Sequence, residues 1–358
     1  MARLGALNLI SGHSKGLVPC VARAVLGVLS VPYAGLMRLR RWAYRRGYLR
    51  SYQPAVPVIS VGNLTVGGAG KTPMVAWIVR HLQQAGHRPA VLTRGYMPRG
   101  GGASDEAQLL RQLCAPAPVI VNPDRCAGAR QGIEAGADVL VMDDGYQHLR
   151  LRRQLDIVLI DAIEPFGFGY VLPRGLLREP LSALQDADAI VLTRTDAVAA
   201  RKLEDTLDVL RRHTRGSTFH SSVHQPTRLV DAAGNELPLT QLAGARVLGF
   251  CGLGNPLAFF ATLERLGADL ANRIALEDHT AYEPVLMEGL SAMARKAGAA
   301  ALVTTAKDRT KLTGLLGDLP ADMPLWTLEV SLDLVEGGQA LVDRILSVHL
   351  ASLQPVRG

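Results

Sequence analysis

Eight residues constrain this chain more than any others: Val66-Gly67-Gly68-Ala69-Gly70-Lys71-Thr72-Pro73. The apolar run Val56-Pro57-Val58-Ile59-Ser60-Val61 before them reads as a buried strand, and the periodic apolar segment from Met74 to Leu82 after them reads as a helix. Strand, Gly-rich turn, Gly-Lys-Thr and helix, in that order, form the setting of a phosphate-binding loop. The loop and the helix N-terminus turn backbone N–H groups toward a polyphosphate. On this reading Thr65, Val66, Gly67, Gly68, Ala69, Gly70, Lys71 and Thr72 form a nucleotide cradle, with Lys71 on the β- and γ-phosphates and Thr72 on Mg2+. The strict pattern places glycine five residues before Gly70, where this chain has Thr65; Gly67 and Gly68 supply the tight turn.

The segments that follow alternate in type. Apolar runs at 88–93, 118–121, 138–142, 155–160 and 189–193 read as buried strands, and Asp105 to Leu113 and Asp124 to Glu134 read as helices. Such alternation predicts a doubly wound α/β domain of the P-loop NTPase kind, whose ligands lie outside the carboxyl ends of the strands. Near residue 224 the pattern changes. Residues 227–239 read as a two-stranded β-ribbon around Gly234-Asn235. A second, smaller α/β unit follows, with strands at 246–250 and 300–304 and a helix from Pro256 to Leu266. The expected organisation is an arm over 1–50, a P-loop domain over 51–224, a ribbon linker over 225–243 and a second domain over 244–358. A chain of 358 residues is long enough for two cored domains, and two lobes around a nucleotide leave a cleft for a second substrate.

Acidic residues fall where such a domain uses them. Asp143-Asp144 ends an apolar strand, the place of a Walker-B carboxylate on Mg2+; a strand-ending Asp that caps the turn before Gly145 is the plainer alternative. Asp105-Glu106 opens a helix, where negative charge is favourable whatever its role. His279 lies in a polar loop beside Glu277, Asp278 and Tyr282, and Arg174 and Arg178 could bind phosphate or simply be solvated.

Charge is unevenly placed. The net charge is +7, yet residues 1–50 hold nine basic and no acidic side chains, while the rest of the chain holds 30 basic and 32 acidic. The arm also carries an apolar stretch from Leu17 to Met37, interrupted by Pro19, Arg23 and Pro32, and then the cluster Arg38-Leu39-Arg40-Arg41-Trp42-Ala43-Tyr44-Arg45-Arg46. A cleaved signal would carry its basic cluster on the other side, and Arg23 disfavours a spanning helix. An interfacial helix fits best, its apolar face at the headgroup boundary and its arginines on anionic lipid phosphates. No recognisable nucleic-acid module accompanies the arm, and no obligate protein partner is evident. Cys20, Cys114, Cys126 and Cys251 show no metal-ligand spacing. They read as thiols in a reducing, cytoplasmic compartment.

Several segments together resemble the tetraacyldisaccharide 4′-kinase (lipid A 4′-kinase) family of Gram-negative bacteria. They are Gly62 to Pro73, Thr93-Arg94-Gly95-Tyr96, Asp105-Glu106, Asp143-Asp144-Gly145-Tyr146-Gln147-His148, Leu177-Arg178-Glu179-Pro180-Leu181, Asp278-His279 and Thr304-Thr305-Ala306-Lys307-Asp308. The resemblance implies transfer of the ATP γ-phosphate to the 4′-hydroxyl of an acylated glucosamine disaccharide 1-phosphate, giving lipid IVA. It also implies a peripheral or monotopic protein at the cytoplasmic face of the inner membrane. Carried onto matching positions, it makes Asp105 and His279, from opposite lobes, the dyad that takes the hydroxyl proton. Lys71, Asp143 and Asp144 become catalytic, Thr72 and Asp144 metal-binding, and Glu106 and Arg178 supporting. Ala306 departs from the family, which usually shows Glu there. The competing class is a membrane-tethered switch ATPase, which would hydrolyse ATP and phosphorylate nothing.

Overall fold

The computed structural model describes residues 8–95, 105–253, 256–277, 280–318 and 322–352. Two compact units account for them. The first contains residues 1–95, 114–223 and 333–358; the second contains 96–113 and 224–332.

The first unit is built on parallel strands in the order β7-β6-β5-β1-β4-β2-β3. They are β1 (Val58–Asn63), β2 (Pro89–Thr93), β3 (Val119–Val121), β4 (Val139–Asp143), β5 (Leu155–Asp161), β6 (Ala189–Thr193) and β7 (Thr218–Val230). The central five are apolar almost throughout and nearly every residue is buried, as expected for strands covered on both faces. Each of these five ends in a polar residue: Asn63, Thr93, Asp143, Asp161 and Thr193. Register aligns them at one edge, with Val61 opposite Asp143 and Asp161 opposite Thr193.

Helix α1 (Leu17–Arg45) is a single 29-residue helix despite its internal Pro32. Helix α2 (Lys71–Gln84) follows the Gly-rich loop and buries Met74, Val75, Ile78, Val79 and Leu82. Asp124 caps helix α4 (Arg125–Glu134) by accepting from the N–H of Cys126; between them in the chain comes α3 (Asp105–Leu113).

The second unit has strands β9 (Arg246–Cys251), β10 (Asp269–Ala275), β11 (Ala301–Thr305) and β12 (Leu325–Glu336), in the order β10-β9-β11-β12. Helices α6 (Pro256–Arg265), α7 (Pro284–Lys296) and α8 (Ala306–Leu312) alternate with them; α5 (Ala200–His213) belongs to the first unit. Phe250, Met287, Leu290 and Leu302 form one side of its core, and Val247, Phe259, Leu263 and Val303 the other.

Two expectations about organisation need revision. The hairpin around Gly234 is present, with β8 (Glu236–Leu237) antiparallel to β7. The chain, however, leaves the first unit along β7 and returns along β12, so the connecting strands are 218–230 and 325–336 rather than a linker over 225–243. The last helix, α9 (Gly338–Ser352), therefore belongs to the first unit. Helix α3 also changes place: it groups with the second unit, where the side-chain amide of Gln108 donates to the Thr313 hydroxyl at 3.4 Å. That packing partner lies about 200 residues away, so no local pattern announces it.

Candidate active site

The Gly-rich loop lies at the polar edge of the first unit's sheet. Gly70, at φ 85°, occupies the left-handed region just before α2, a conformation that favours glycine. Two neighbours hold the loop. The Val66 N–H donates to the Leu176 carbonyl and the Arg178 N–H to that of Leu64, both at 2.7 Å. From the other side the Thr193 hydroxyl donates to the Ala69 carbonyl at 3.2 Å, and Arg194, ion-paired with Asp161, donates to the Gly68 carbonyl at 3.0 Å.

Lys71, the first residue of α2, turns its ammonium back over the sheet edge. Nζ lies 3.2 Å from Asn63 Oδ1 and 3.4 Å from Asp144 Oδ1. Arg178 meets the same carboxylate at 2.9 and 3.0 Å. Burial pushes the Asp144 carboxyl up, but Lys71 and Arg178 outweigh it and hold the group below its ordinary value. Asp144 also has φ 51°, uncommon for a residue with a side chain. The two adjacent carboxylates differ in setting: that of Asp144 pairs with the two cations, whereas Asp143 is 5% exposed and accepts from the Thr93 hydroxyl at 3.4 Å. Arg125 donates to the Asp143 carbonyl at 2.9 Å. Burial lowers its guanidinium to about 10 against the pull of the two carboxylates.

Gln147 completes this ring. Its amide nitrogen donates to the Asn63 carbonyl at 2.9 Å and its oxygen accepts from Arg178 at 3.4 Å. The Thr72 hydroxyl and the Asp144 carboxylate are hard oxygen donors of the kind Mg2+ takes together with phosphate oxygens. Among the described residues, no group of three or more His, Cys, Asp or Glu is placed to hold a metal ion.

Asp105 and Glu106 stand in the first turn of α3, half-buried, in the second unit. The expectation that Asp105 belongs to the P-loop lobe is therefore revised. His279 lies outside the described residues. Elsewhere in the second unit, Asp308 is fully buried and accepts from the Gly252 N–H at 3.1 Å and the Thr305 hydroxyl at 2.7 Å.

Sequence reasoning assigned no role to Asn63, Gln147, Asp161, Thr193 or Arg194. Asn63 and Gln147 stood inside quoted motif blocks; the strand-end rule points to Asp161 and Thr193, and Arg194 comes next in the chain. Arg174, taken as a phosphate candidate, instead donates to the Ile10 carbonyl at 2.7 Å and stacks on Tyr170.

The arm differs from expectation in one respect. Its apolar side chains are exposed, but its arginines do not all point away from the protein. Arg41 is 4% exposed and pairs with Glu179 at 2.5 Å and Asp186 at 2.7 Å; Arg45 also pairs with Asp186, and Arg40 donates to the Gln147 carbonyl. Two carboxylates on the body compete for the cations that the sequence suggested were free for lipid. By length and composition α1 is apolar enough to cross a membrane, with 6% of its most apolar window buried, and it is compatible with membrane association.

A parallel sheet with a Gly-Lys-Thr loop, an acidic strand end beside it and a second α/β unit defines a P-loop nucleotide phosphotransferase. Comparison with known proteins narrows the class. Residues 22–349 match the family described as LpxK, tetraacyldisaccharide-1-P 4′-kinase, and the chain belongs to that family. It is 38% identical to the tetraacyldisaccharide 4′-kinase of Anaeromyxobacter sp. (strain K), over 95% of this chain and 94% of that one. It is 41% identical to the enzyme of the same name from Syntrophus aciditrophicus (strain SB), over 80% and 84%. The crystal structure of LpxK from Aquifex aeolicus in complex with ATP superposes with TM-score 0.71 at 27% identity, covering 92% of this chain and 99% of that one. The chain is thus a kinase of lipid A biosynthesis, and the switch-ATPase reading is left without support.

Proposed function

We propose that this protein transfers the γ-phosphate of ATP to the 4′-hydroxyl of a tetraacylated glucosamine disaccharide 1-phosphate, forming lipid IVA at the cytoplasmic face of the inner membrane. The observation that carries this reading is the convergence of Lys71, Asp144 and Arg178 at the mouth of the Gly-rich loop, in a chain of this family. Residues 65–72 cradle the phosphates with backbone N–H groups, and Lys71 places its charge on the transferring group. Thr72 and Asp144 hold Mg2+, with Asp143 behind them. Bound Mg2+ neutralises the charge that phosphate oxygens carry during transfer. Lys71 and Arg178 together hold Asp144 below its ordinary value, and Arg178 orients it.

The sugar hydroxyl is a weak acid and needs a base as its proton leaves. Asp105 and His279 fill that role, with Glu106 in support. Asp105 groups with the second unit and the phosphate loop with the first. Positioning and charge stabilisation then supply most of the rate. Anionic lipid and the exposed apolar face of α1 bring the protein to a substrate that stays in the bilayer.

The test is incubation with Mg2+, γ-labelled ATP and the tetraacylated disaccharide 1-phosphate in detergent micelles. Labelled lipid that disappears with Lys71→Ala supports the kinase. ATP turnover without labelled lipid contradicts it.

A further inference from the structure

Helix α1 touches the two segments that carry Asp144 and Arg178, and it does so with polar side chains. The Tyr33 hydroxyl donates to the Arg178 carbonyl at 2.8 Å. Arg40 donates to the Gln147 carbonyl at 2.9 Å. Arg41 spans both segments: its guanidinium lies 4.7 Å over the Tyr146 ring and pairs with Glu179, the residue after Arg178. We propose that Tyr33 and Arg41 are positioning residues of the phosphoryl-transfer site, so that the docked face of α1 sets the geometry of the Asp144–Arg178 pair independently of any attachment to lipid. The proposal rests on the kinase reading above for the reaction it serves.

The body anchors each segment at its far end, through the Gly145 N–H on the Val61 carbonyl at 3.0 Å and the Leu177 N–H on the Tyr170 carbonyl at 3.1 Å, and α1 adds contacts next to the reactive pair. Arg178 is fixed at its N–H by Leu64, at its guanidinium by Asp144, and at its carbonyl by Tyr33. Gln147 is fixed at its side chain by Asn63 and Arg178 and at its carbonyl by Arg40. In each residue one of the holding contacts comes from α1. Tyr146 has no room to shift toward the sheet. A Cβ on Gly62 would lie 2.5 Å from its Cβ, and its hydroxyl donates to the Ala183 carbonyl at 2.5 Å. Arg41 lies over the face of that ring. Glu179 is 1% exposed; without Arg41 its buried charge would lose its cation, and the segment would have to move to find water. Displacement there moves Arg178 directly, and misplacement of about 1 Å costs on the order of 100-fold in rate. A helix that served only as a tether would need none of these contacts with the site.

The experiment uses the full chain in neutral detergent micelles, which removes recruitment to a bilayer. Lipid phosphorylation and ATP hydrolysis without acceptor are both measured for wild type, Tyr33→Phe, Arg41→Lys and Arg41→Met, each normalised to its folded fraction by thermal melting. Tyr33→Phe removes one hydrogen bond and orphans no charge. It is expected to lower kcat about 3- to 10-fold with KM for ATP little changed. Arg41→Met is expected to lower kcat about 100-fold, and Arg41→Lys, which keeps the charge without the planar fork, to fall between. Wild-type kcat in folded Tyr33→Phe and Arg41→Lys overturns the proposal. If wild type hydrolyses ATP but labels no lipid, the kinase reading fails, and the same ordering of variants in hydrolysis still decides the positioning role.

Discussion

Helices α1 and α2 belong to the same unit and follow opposite rules. Helix α2 turns Met74, Val75, Ile78, Val79 and Leu82 into the core, as an amphipathic helix in water does. Helix α1 buries only Ser30 and Arg41, while Val18, Val21, Val25, Val28, Leu36 and Leu39 are exposed. Tyr33, Arg40 and Arg41, three, ten and eleven residues after Ser30, share one side of the helix with it, and the exposed valines occupy the other. Burial of apolar area explains where α2 sits. Hydrogen bonds and buried ion pairs, with Tyr33 and Ala34 packed on the core, explain where α1 sits, and its other apolar face stays exposed. Hydrophobic content alone does not say which way a helix faces; the charges available on the partner surface decide it.

The contrast can be broken at either helix. The largest expected effect is at the start of α2. Lys71→Ala removes the charge on the phosphates, and phosphoryl transfer is expected to fall about 10³-fold with the thermal midpoint little changed. Asp105→Ala is expected to lower kcat about 10²- to 10⁴-fold while ATP still binds in a nucleotide titration; near wild-type turnover would remove Asp105 from the reaction.

Stability separates the helices next. Ile78→Ala in α2 opens a cavity and should cost about 2–5 kcal/mol in urea unfolding. Val28→Ala in α1, at a side chain 72% exposed, should stay within about 0.5 kcal/mol. Equal losses would mean that α1 buries its apolar face after all.

The smallest expected effect concerns pH. His148, in the segment below α1, is lowered by burial, with Arg125 and Arg153 adding to it, to about 4. Its folded value lies below its unfolded one, so the unfolded chain binds the extra proton first. Stability is therefore present above about pH 6.5 and declines as pH falls toward 4. His148→Gln should flatten that part of a urea-midpoint profile, and an unchanged slope would assign the decline to other groups.

Much of the first unit was legible because its signals are local. The Gly-Lys-Thr loop, the apolar strands and the Asp143-Asp144 strand end are each specified within a dozen residues. What sequence could not supply were pairings between distant segments. Asn63 and Gln147 meet across 84 residues, and Asp161 and Arg194 across 33. Helix α3 was assigned to the wrong unit because its partner, α8, is distant in the chain. Strand β12 was not assigned; its first four residues are buried and its remainder is mixed, so it shows neither a clean alternation nor a long apolar run. Arg41 looked like its neighbours in a basic cluster, and only Glu179 and Asp186 distinguish it.

The most direct test crosses the two faces of α1 with two readouts. Val21→Ser/Val25→Ser/Val28→Ser changes the exposed face and Tyr33→Phe the docked one; each protein is measured for sedimentation with anionic vesicles and for kcat in neutral micelles. The valine variant should lose roughly 100-fold in vesicle affinity and keep its kcat, while Tyr33→Phe should keep its vesicle affinity and lose kcat. If both variants lose both properties together, the helix has one role and the division of its faces is wrong.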